Sequence, residues 1–222
     1  MTPRRTIGRD MTHQLNPGIL TFEELIVREE LPLSSLHEAV LEFLGGRDDV
    51  VLYGAHAVNA YVPEPRMTQA VDLLSTNASA LAIALRDNLH DRFNIAMRIR
   101  DLGENRGYRL YQVRKPVNRH LVDIRPVDVL PASRRFGEVL VISPEDQLAA
   151  KVIGLHNRRG KPKSGTDWRD IALLLLAFPD LKVKTGPVAE RLAHAGADAG
   201  TMELWLELVN TVIEAEADDE ES

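Results

Sequence analysis

The chain of 222 residues is long enough for one sizeable hydrophobic core, or for one core with a small appendage. It contains no cysteine, which excludes disulfides and thiolate metal sites, and no apolar run approaches the ~18 residues that a membrane span needs. The net charge of −6 matches the tail 214–222, which carries six acidic side chains and no basic one. The N-terminus lacks the apolar core of a secretory signal, so we expect a cytoplasmic protein without a membrane segment.

The first half of the sequence alternates predicted helices and strands. Apolar and β-branched runs bounded by glycine, proline or polar residues are typical of strands. In chain order we expect a loose arm (1–20), helices at 21–30 and 34–46, a strand at 49–54, a short helix at 55–61, a strand at 67–75, a helix at 78–90, and strands at 93–102, 108–115, 120–130 and 138–143.

The second half is predicted to be helical throughout. Ser143 followed by Pro144 is typical of a helix start, and Thr166 is the predicted cap of a helix over 167–178. Two more helices are expected at 185–195 and 199–217. The predicted fold is therefore α+β. A small mixed sheet with flanking helices (21–142) is followed by a helical region (143–213) and an acidic tail (214–222).

Two aspartates lie in predicted strands. Residues i and i+2 of a strand face the same way, and two carboxylates at that spacing can grip a hard cation such as Mg²⁺. Asp72 has such a position two residues earlier, but Ala70 occupies it. Asp123 lies in an otherwise apolar strand, where a lone carboxylate needs a cation or hydrogen-bond donors. Each aspartate could bind a metal or could pair with an arginine such as Arg66 or Arg125.

Basic residues concentrate in the middle of the chain. Residues 86–135 carry twelve Arg or Lys against six Asp or Glu, and residues 151–170 carry six against two. This distribution fits a phosphate-bearing partner, although a solvated basic surface would give the same counts. Lys151 and Arg158 are seven residues apart, which places them on one face of a predicted helix.

The order and spacing of these residues resemble the nucleotidyltransferases of the DNA polymerase β superfamily, and among them the AbiEii/AbiGii toxin type. The first family motif is a glycine pair followed by an arginine, a Ser or Thr, and an Asp-x-Asp. The second is a lysine with an arginine seven residues later, and the third is an Asp-x-x-Asp pair. The matching residues, within 48–180, are Gly54, Ala55, Arg66, Thr68, Asp72, Asp123, Lys151, Arg158, Asp167 and Asp170, with Ala70 at the position of the first aspartate.

The resemblance implies transfer of a nucleoside monophosphate from an NTP to an RNA, such as a tRNA end, or to a protein hydroxyl. It implies Mg²⁺ or Mn²⁺ held by Asp72 and Asp123, and an antitoxin as a further partner. The implied catalytic residues are Asp72, Asp123, Lys151 and Asp167, together with position 70. The implied nucleotide-binding residues are Gly54, Ala55, Arg66, Thr68, Lys151 and Arg158. The alternative function is a non-catalytic module that binds nucleotide, nucleic acid or a protein.

Ala70 departs from the family pattern because it removes an anionic ligand. Three explanations are open: a natural pseudoenzyme, an enzyme with an altered metal site, or an introduced Asp→Ala change. The other motif residues are intact, and a long-decayed site would have lost more of them. We therefore favour a recent loss or an introduced change, and we expect transfer to be impaired in the chain as it stands.

Overall fold

The structure is a computed structural model and describes residues 31–215. The predicted arm, the helix predicted at 21–30 and the end of the acidic tail lie outside these residues. The helices are α1 (Leu33–Leu44), α2 (Gly54–Tyr61), α3 (Ala78–Phe93), α4 (Pro144–Asn157), α5 (Lys163–Ala177), α6 (Pro187–His194) and α7 (Ala199–Asn210), with a 3-10 turn at Pro179–Leu181. The strands are β1 (Val50–Tyr53), β2 (Val71–Ser75), β3 (Met97–Asp101), β4 (Tyr108–Gln112), β5 (Arg119–Pro126), β6 (Ser133–Phe136) and β7 (Val139–Ile142).

The strands form one mixed sheet of seven strands in the order β3-β4-β5-β2-β1-β7-β6. Strands β2 and β5 are parallel, as are β1 and β7, and the other neighbours are antiparallel. Beyond Ile142 every regular element in the described residues is helical. The predicted α+β class, with a mixed sheet followed by helices, is confirmed.

Apolar side chains form two clusters. The first lies between one face of the sheet and helices α1 and α3. The second joins helices α4 to α7, and α2 contributes Val58 to it. Tyr61 of α2 packs against both clusters, and its hydroxyl donates a 2.7 Å hydrogen bond to the carbonyl oxygen of Ile142. Helix α2 therefore fixes the sheet against the helical region, while the proposed division into domains stays a prediction.

Strand β2 begins at Val71, so the prediction of a strand from residue 67 was wrong. The backbone just before it is held by side chains instead. The Asn59 side chain hydrogen-bonds both the N–H and the carbonyl oxygen of Arg66, and Thr68 Oγ1 donates to the carbonyl oxygen of Ala70 at 3.0 Å. Such local bonds compete with strand pairing. Ala70 is therefore the last residue before β2, where strand alternation alone does not orient its side chain.

The helix starts were predicted with mixed success. Ser143 caps α4 as expected, because its hydroxyl accepts a hydrogen bond from the N–H of Asp146. Thr166 was the wrong cap, since α5 begins three residues earlier, directly after Pro162. Strand β6 was missed because its residues, Ser133 to Phe136, are mostly polar and form an edge of the sheet. No helix within 31–215 combines the length and hydrophobicity needed to cross a bilayer.

Candidate active site

Asp72 and Asp123 lie directly opposite each other on the parallel strands β2 and β5. Directly opposed residues project from the same face of a sheet. This face is opposite to the one that carries Val71, Leu73, Val122 and Ile124 into the core. The structure therefore brings together the two carboxylates that were predicted to bind a metal.

The side chain of Asp72 makes no hydrogen bond or ion pair with any residue in the part of the chain that is described. Burial raises the pKa of its carboxyl group, and the negative charge of Asp123 raises it further. The cations Lys151, Lys163 and Arg125 oppose this shift without reversing it. Asp72 is thus a partly buried carboxylate whose charge is not neutralised by a direct partner.

Asp123 is held by two basic side chains. Arg109 of β4 donates a 2.7 Å hydrogen bond from Nε to Oδ1, and His120 Nε2 lies 3.3 Å from Oδ2. Burial alone would raise the pKa of Asp123, but His120 and Arg109 outweigh it and the net shift is downward. The two carboxylates therefore differ. Asp123 is ionised and oriented by its basic partners, whereas the carboxylate of Asp72 has no direct partner.

Gly54, at the start of α2, lies against Asp72. Its φ of +72° is a conformation that side chains disfavour, and an added Cβ would fall 2.3 Å from Asp72 Oδ2. The Gln147 side chain of α4 fixes this turn through two hydrogen bonds. Its Oε1 accepts from Gly54 N–H at 3.2 Å and its Nε2 donates to the Gly54 carbonyl oxygen at 2.9 Å. Gln147 is fully buried, so it couples α4 to the turn that lies against Asp72.

Tyr53 extends the row of polar side chains on this face. It lies opposite Asp72 across strands β1 and β2. Its hydroxyl is buried and has no hydrogen-bond partner within residues 31–215. Burial, followed by the charge of Asp72, raises the pKa of Tyr53, which keeps the phenol neutral and able to donate a hydrogen bond.

Helix α5 carries a second pair of aspartates with a different environment. Asp170 is fully buried. Its carboxylate accepts hydrogen bonds from Nε and Nη2 of Arg66, at 2.8 and 2.9 Å, and from Nζ of Lys151, at 2.6 Å. Burial would raise the pKa of Asp170, but Arg66 and Lys151 outweigh it and the net shift is downward. Arg66 thus pairs with Asp170, and its proposed pairing with Asp72 or Asp123 was wrong.

Asp167 is also buried and paired. Arg158 Nε and Nη2 both lie 2.7 Å from its Oδ2, and Lys151 Nζ lies 3.7 Å from its Oδ1. Arg158 directly follows α4 and reaches back over Gly154 of that helix, where a Cβ would fall 2.2 Å from Nη2. Lys151 therefore bridges Asp167 and Asp170. Asp167 contacts Lys151 and Arg158 and does not join Asp72 and Asp123 at the sheet.

The predicted residues thus fall into two groups. Asp72, Asp123 and Gly54 meet at the sheet, with Ala55 next to Gly54 in α2 and Ala70 just before β2. The second group is the ion-pair network of Arg66, Lys151, Arg158, Asp167 and Asp170. Lys151 links the groups electrostatically, because its charge lowers the pKa of Asp72.

Sequence reasoning missed three contributors to the site. Gln147 lies one helical turn before Lys151, so the i, i+4 spacing placed it on the same face. Arg109 and Tyr53 carried no such signal, because their positions beside Asp123 and Asp72 depend on which strands are neighbours.

Asp72 and Asp123 could supply some, but not all, of the ligands of a divalent cation. Asp72 offers an unpaired anionic oxygen donor beside Asp123, and Mg²⁺ prefers such ligands, with water filling its remaining positions. Within residues 31–215 no three His, Cys, Asp or Glu side chains come together as metal ligands.

The fold is similar to that of two solved structures. The Megavirus polyadenylate synthase matches with a TM-score of 0.53 and 13% identity over 66% of this chain, which spans only 32% of that enzyme. JHP933 from Helicobacter pylori matches with a TM-score of 0.57 and 15% identity over 86% of this chain and 90% of its own length. At these identities the likeness concerns the fold, which is of the nucleotidyltransferase type.

The sequence also matches the model of a protein family. Residues 38–221 match the model of the nucleotidyl transferase AbiEii toxin of type IV toxin–antitoxin systems. The match covers most of the chain, so the chain belongs to the AbiEii family. No curated protein matches its sequence.

Proposed function

We propose that this chain has the architecture of a metal-dependent nucleotidyltransferase that moves a nucleoside monophosphate from an NTP to an RNA, such as a tRNA, or to a protein. We further propose that Ala70 impairs the reaction in the sequence as it stands. The observation that carries the proposal is the pairing of Asp72 with Asp123 on one sheet face, with Asp72 left without a partner.

The reaction joins an acceptor hydroxyl oxygen to the α-phosphorus of the NTP. The bond from that phosphorus to the bridging oxygen breaks, pyrophosphate leaves, and the hydroxyl proton passes to solvent. Asp72 and Asp123 would hold Mg²⁺ or Mn²⁺, which neutralises phosphate charge when bound. Arg109 and His120 keep Asp123 ionised and oriented for that role.

Other residues would bind the nucleotide. The Gly54 N–H is already donated to Gln147, so the N-terminus of α2 would bind a phosphate through the N–H groups that follow it, starting at Ala55. Lys151 and Arg158 would balance the triphosphate charge while Asp167 and Asp170 hold them in position. Arg66 and Thr68 order the segment that leads into β2.

A transfer assay with each radiolabelled NTP tests the proposal, with RNA, tRNA and protein offered as acceptors. Ala70→Asp is expected to raise transfer by about 100-fold over the parent chain, since it restores an anionic metal ligand. The matched control, Ala70→Asp with Asp72→Asn, should be inactive. Equal activity of the parent and Ala70→Asp would contradict the proposed role of position 70.

The second candidate function is a non-catalytic module of the same family that binds nucleotide or a partner such as an antitoxin. Ala70 favours it, together with the lack of a three-ligand metal cluster within residues 31–215. NTP binding with and without Mg²⁺ separates the two functions. If Ala70→Asp neither binds NTP with Mg²⁺ nor transfers it, the module is the better description.

A further inference from the structure

The face of the sheet that carries the two aspartates continues across strands β4 and β3. Asp123 lies opposite Arg109, and Arg109 lies opposite Arg100. Asp72, Asp123, Arg109 and Arg100 therefore form one row on four neighbouring strands. Helix α3 packs against the other face of these strands, where Leu110 is fully buried.

A second row runs parallel to the first. The register of β4 against β5 shifts between Leu110 and Tyr111, and the bulge pairs Tyr111 with His120. A bulge re-aims side chains, and here it places His120 on the face of Asp123, which it contacts. The rings of Tyr111 and His120 are 5.1 Å apart at 31°, and Arg98 lies opposite Tyr111 on β3.

We call Arg98, Arg100, Arg109, Tyr111 and His120 the arginine–aromatic face. Arg98 and Arg100 are exposed and form no ion pair with any residue in the described part of the chain. Arg100 also lies directly opposite Arg109, whose charge is already balanced by Asp123, so the nearest carboxylate on this face is not available to Arg100. Most other exposed arginines within residues 31–215 have acidic partners, as Arg135 has in Asp48 and Arg92 in Glu42.

We propose that the arginine–aromatic face binds the single-stranded end of the acceptor RNA. Arg98 and Arg100 contact phosphates, Tyr111 stacks on a base, and the terminal hydroxyl lies beside Asp72 and Asp123. This inference rests on the proposed function, and it selects RNA over protein as the acceptor.

The dimensions and chemistry of the face suit a single strand. Arg98 and Arg100 are two residues apart on β3, about 7 Å, and β3 lies about 10 Å across the sheet from Asp123. That span accommodates the last few nucleotides of an extended chain. Aromatic rings between cationic side chains bind single strands by stacking and charge, whereas paired bases in a duplex offer no free ring face.

Binding of a labelled single-stranded oligoribonucleotide to the full chain tests the proposal. The titration is done in EDTA without NTP, so it does not depend on catalysis. Arg98→Gln with Arg100→Gln is expected to weaken binding at least tenfold. The slope of log K against log salt should fall by about 1.4, because two phosphate contacts on a single strand are lost.

The matched control is Arg86→Gln with Arg92→Gln. It removes the same charge from α3, the helix on the other face, and should leave binding within twofold of the parent. An equal loss in the two double variants would mean that only net charge matters, and it would overturn the proposal. So would unchanged binding in Arg98→Gln with Arg100→Gln.

Tyr111→Leu separates stacking from charge. It is expected to weaken binding about tenfold with an unchanged salt slope. Duplex RNA of the same sequence should compete poorly, and tighter binding of the duplex would contradict the proposal. If these binding results hold while Ala70→Asp fails to transfer, the face binds RNA and the transferase proposal fails alone.

Discussion

Two pairs of aspartates in this protein differ in one member, because only Asp72 lacks a direct basic partner. On α5, Asp167 and Asp170 are buried among Arg66, Lys151 and Arg158, and both are neutralised by direct contacts. On the sheet, two basic groups contact Asp123 and none contacts Asp72.

The difference separates a structural role from a binding role. Surrounding cations lower the pKa of Asp170 overall, while burial and Asp123 raise that of Asp72. A buried carboxylate with partners stabilises the fold in its ionised form, whereas one without partners costs free energy until a cation arrives. We infer that the α5 pair holds the site together and the sheet pair receives the ligand.

Removing a charge from the helical pair should have the largest effect. Asp170→Asn leaves Arg66 and Lys151 without their shared anion, and we expect it to reduce the free energy of unfolding by about 3 kcal/mol. Urea denaturation measures the change. Asp87→Asn, which breaks an exposed ion pair with Arg86, is the control and should have no measurable effect. Equal stability of Asp170→Asn and the parent would contradict a structural role for the network.

Gln147→Leu tests the connection between the two regions and should have an intermediate effect. It removes both hydrogen bonds to the Gly54 backbone, which we expect to cost about 2 kcal/mol. The Gly54 amide should also exchange its hydrogen faster, while amides in the middle of α3 keep their protection. Unchanged exchange at Gly54 would show that Gln147 does not hold this turn.

The smallest effect, with the opposite sign, is expected at the sheet pair. The folded chain holds the Asp72 proton to a higher pH than the unfolded chain, whose pKa is near 3.8. Asp72 therefore lowers stability as the pH rises from 3.8 through its folded-state pKa. Asp72→Asn removes this penalty, and we expect it to stabilise the chain by less than about 1 kcal/mol at pH 7.

The pH dependence distinguishes the two pairs further. The difference between Asp72→Asn and the parent should vanish well below pH 3.8, where the carboxyl group is protonated in both states. Asp170 has the opposite pH dependence. Its pKa is lowered in the folded chain, so its contribution to stability is present above pH 3.8 and is lost as the pH falls below that value. Melting curves from about pH 2 to pH 8 measure both trends. A destabilised Asp72→Asn at pH 7 would mean that Asp72 has a stabilising partner.

Local patterns in the sequence predicted the elements well but predicted their contacts only in part. Apolar runs identified most strands, and Ser143 with Pro144 identified the start of α4. The adjacency of Asp72 and Asp123 was expected from a family resemblance and depends on β5 pairing with β2 across about fifty residues of chain. Neighbouring residues do not encode such a pairing.

Side-chain partners were harder to predict than elements. The Asp-x-x-Asp spacing placed Asp167 and Asp170 on one face of a helix, but which cations they meet depends on how α4 and the segment at Arg66 pack on α5. The start of β2 was misplaced because side-chain hydrogen bonds from Asn59 and Thr68 hold the preceding backbone. These interactions arise from tertiary packing, which periodicity does not report.

The most direct test of the ligand-receiving role of the sheet pair is Mn²⁺ binding, measured by isothermal titration calorimetry. We predict that Ala70→Asp binds Mn²⁺ about tenfold or more tightly than the parent chain, because a third carboxylate joins Asp72 and Asp123. Adding Asp72→Asn to that variant should abolish the gain. If the parent already binds Mn²⁺ as tightly as Ala70→Asp, position 70 contributes no ligand. If Asp72→Asn leaves the affinity unchanged, the sheet aspartates are not the cation site.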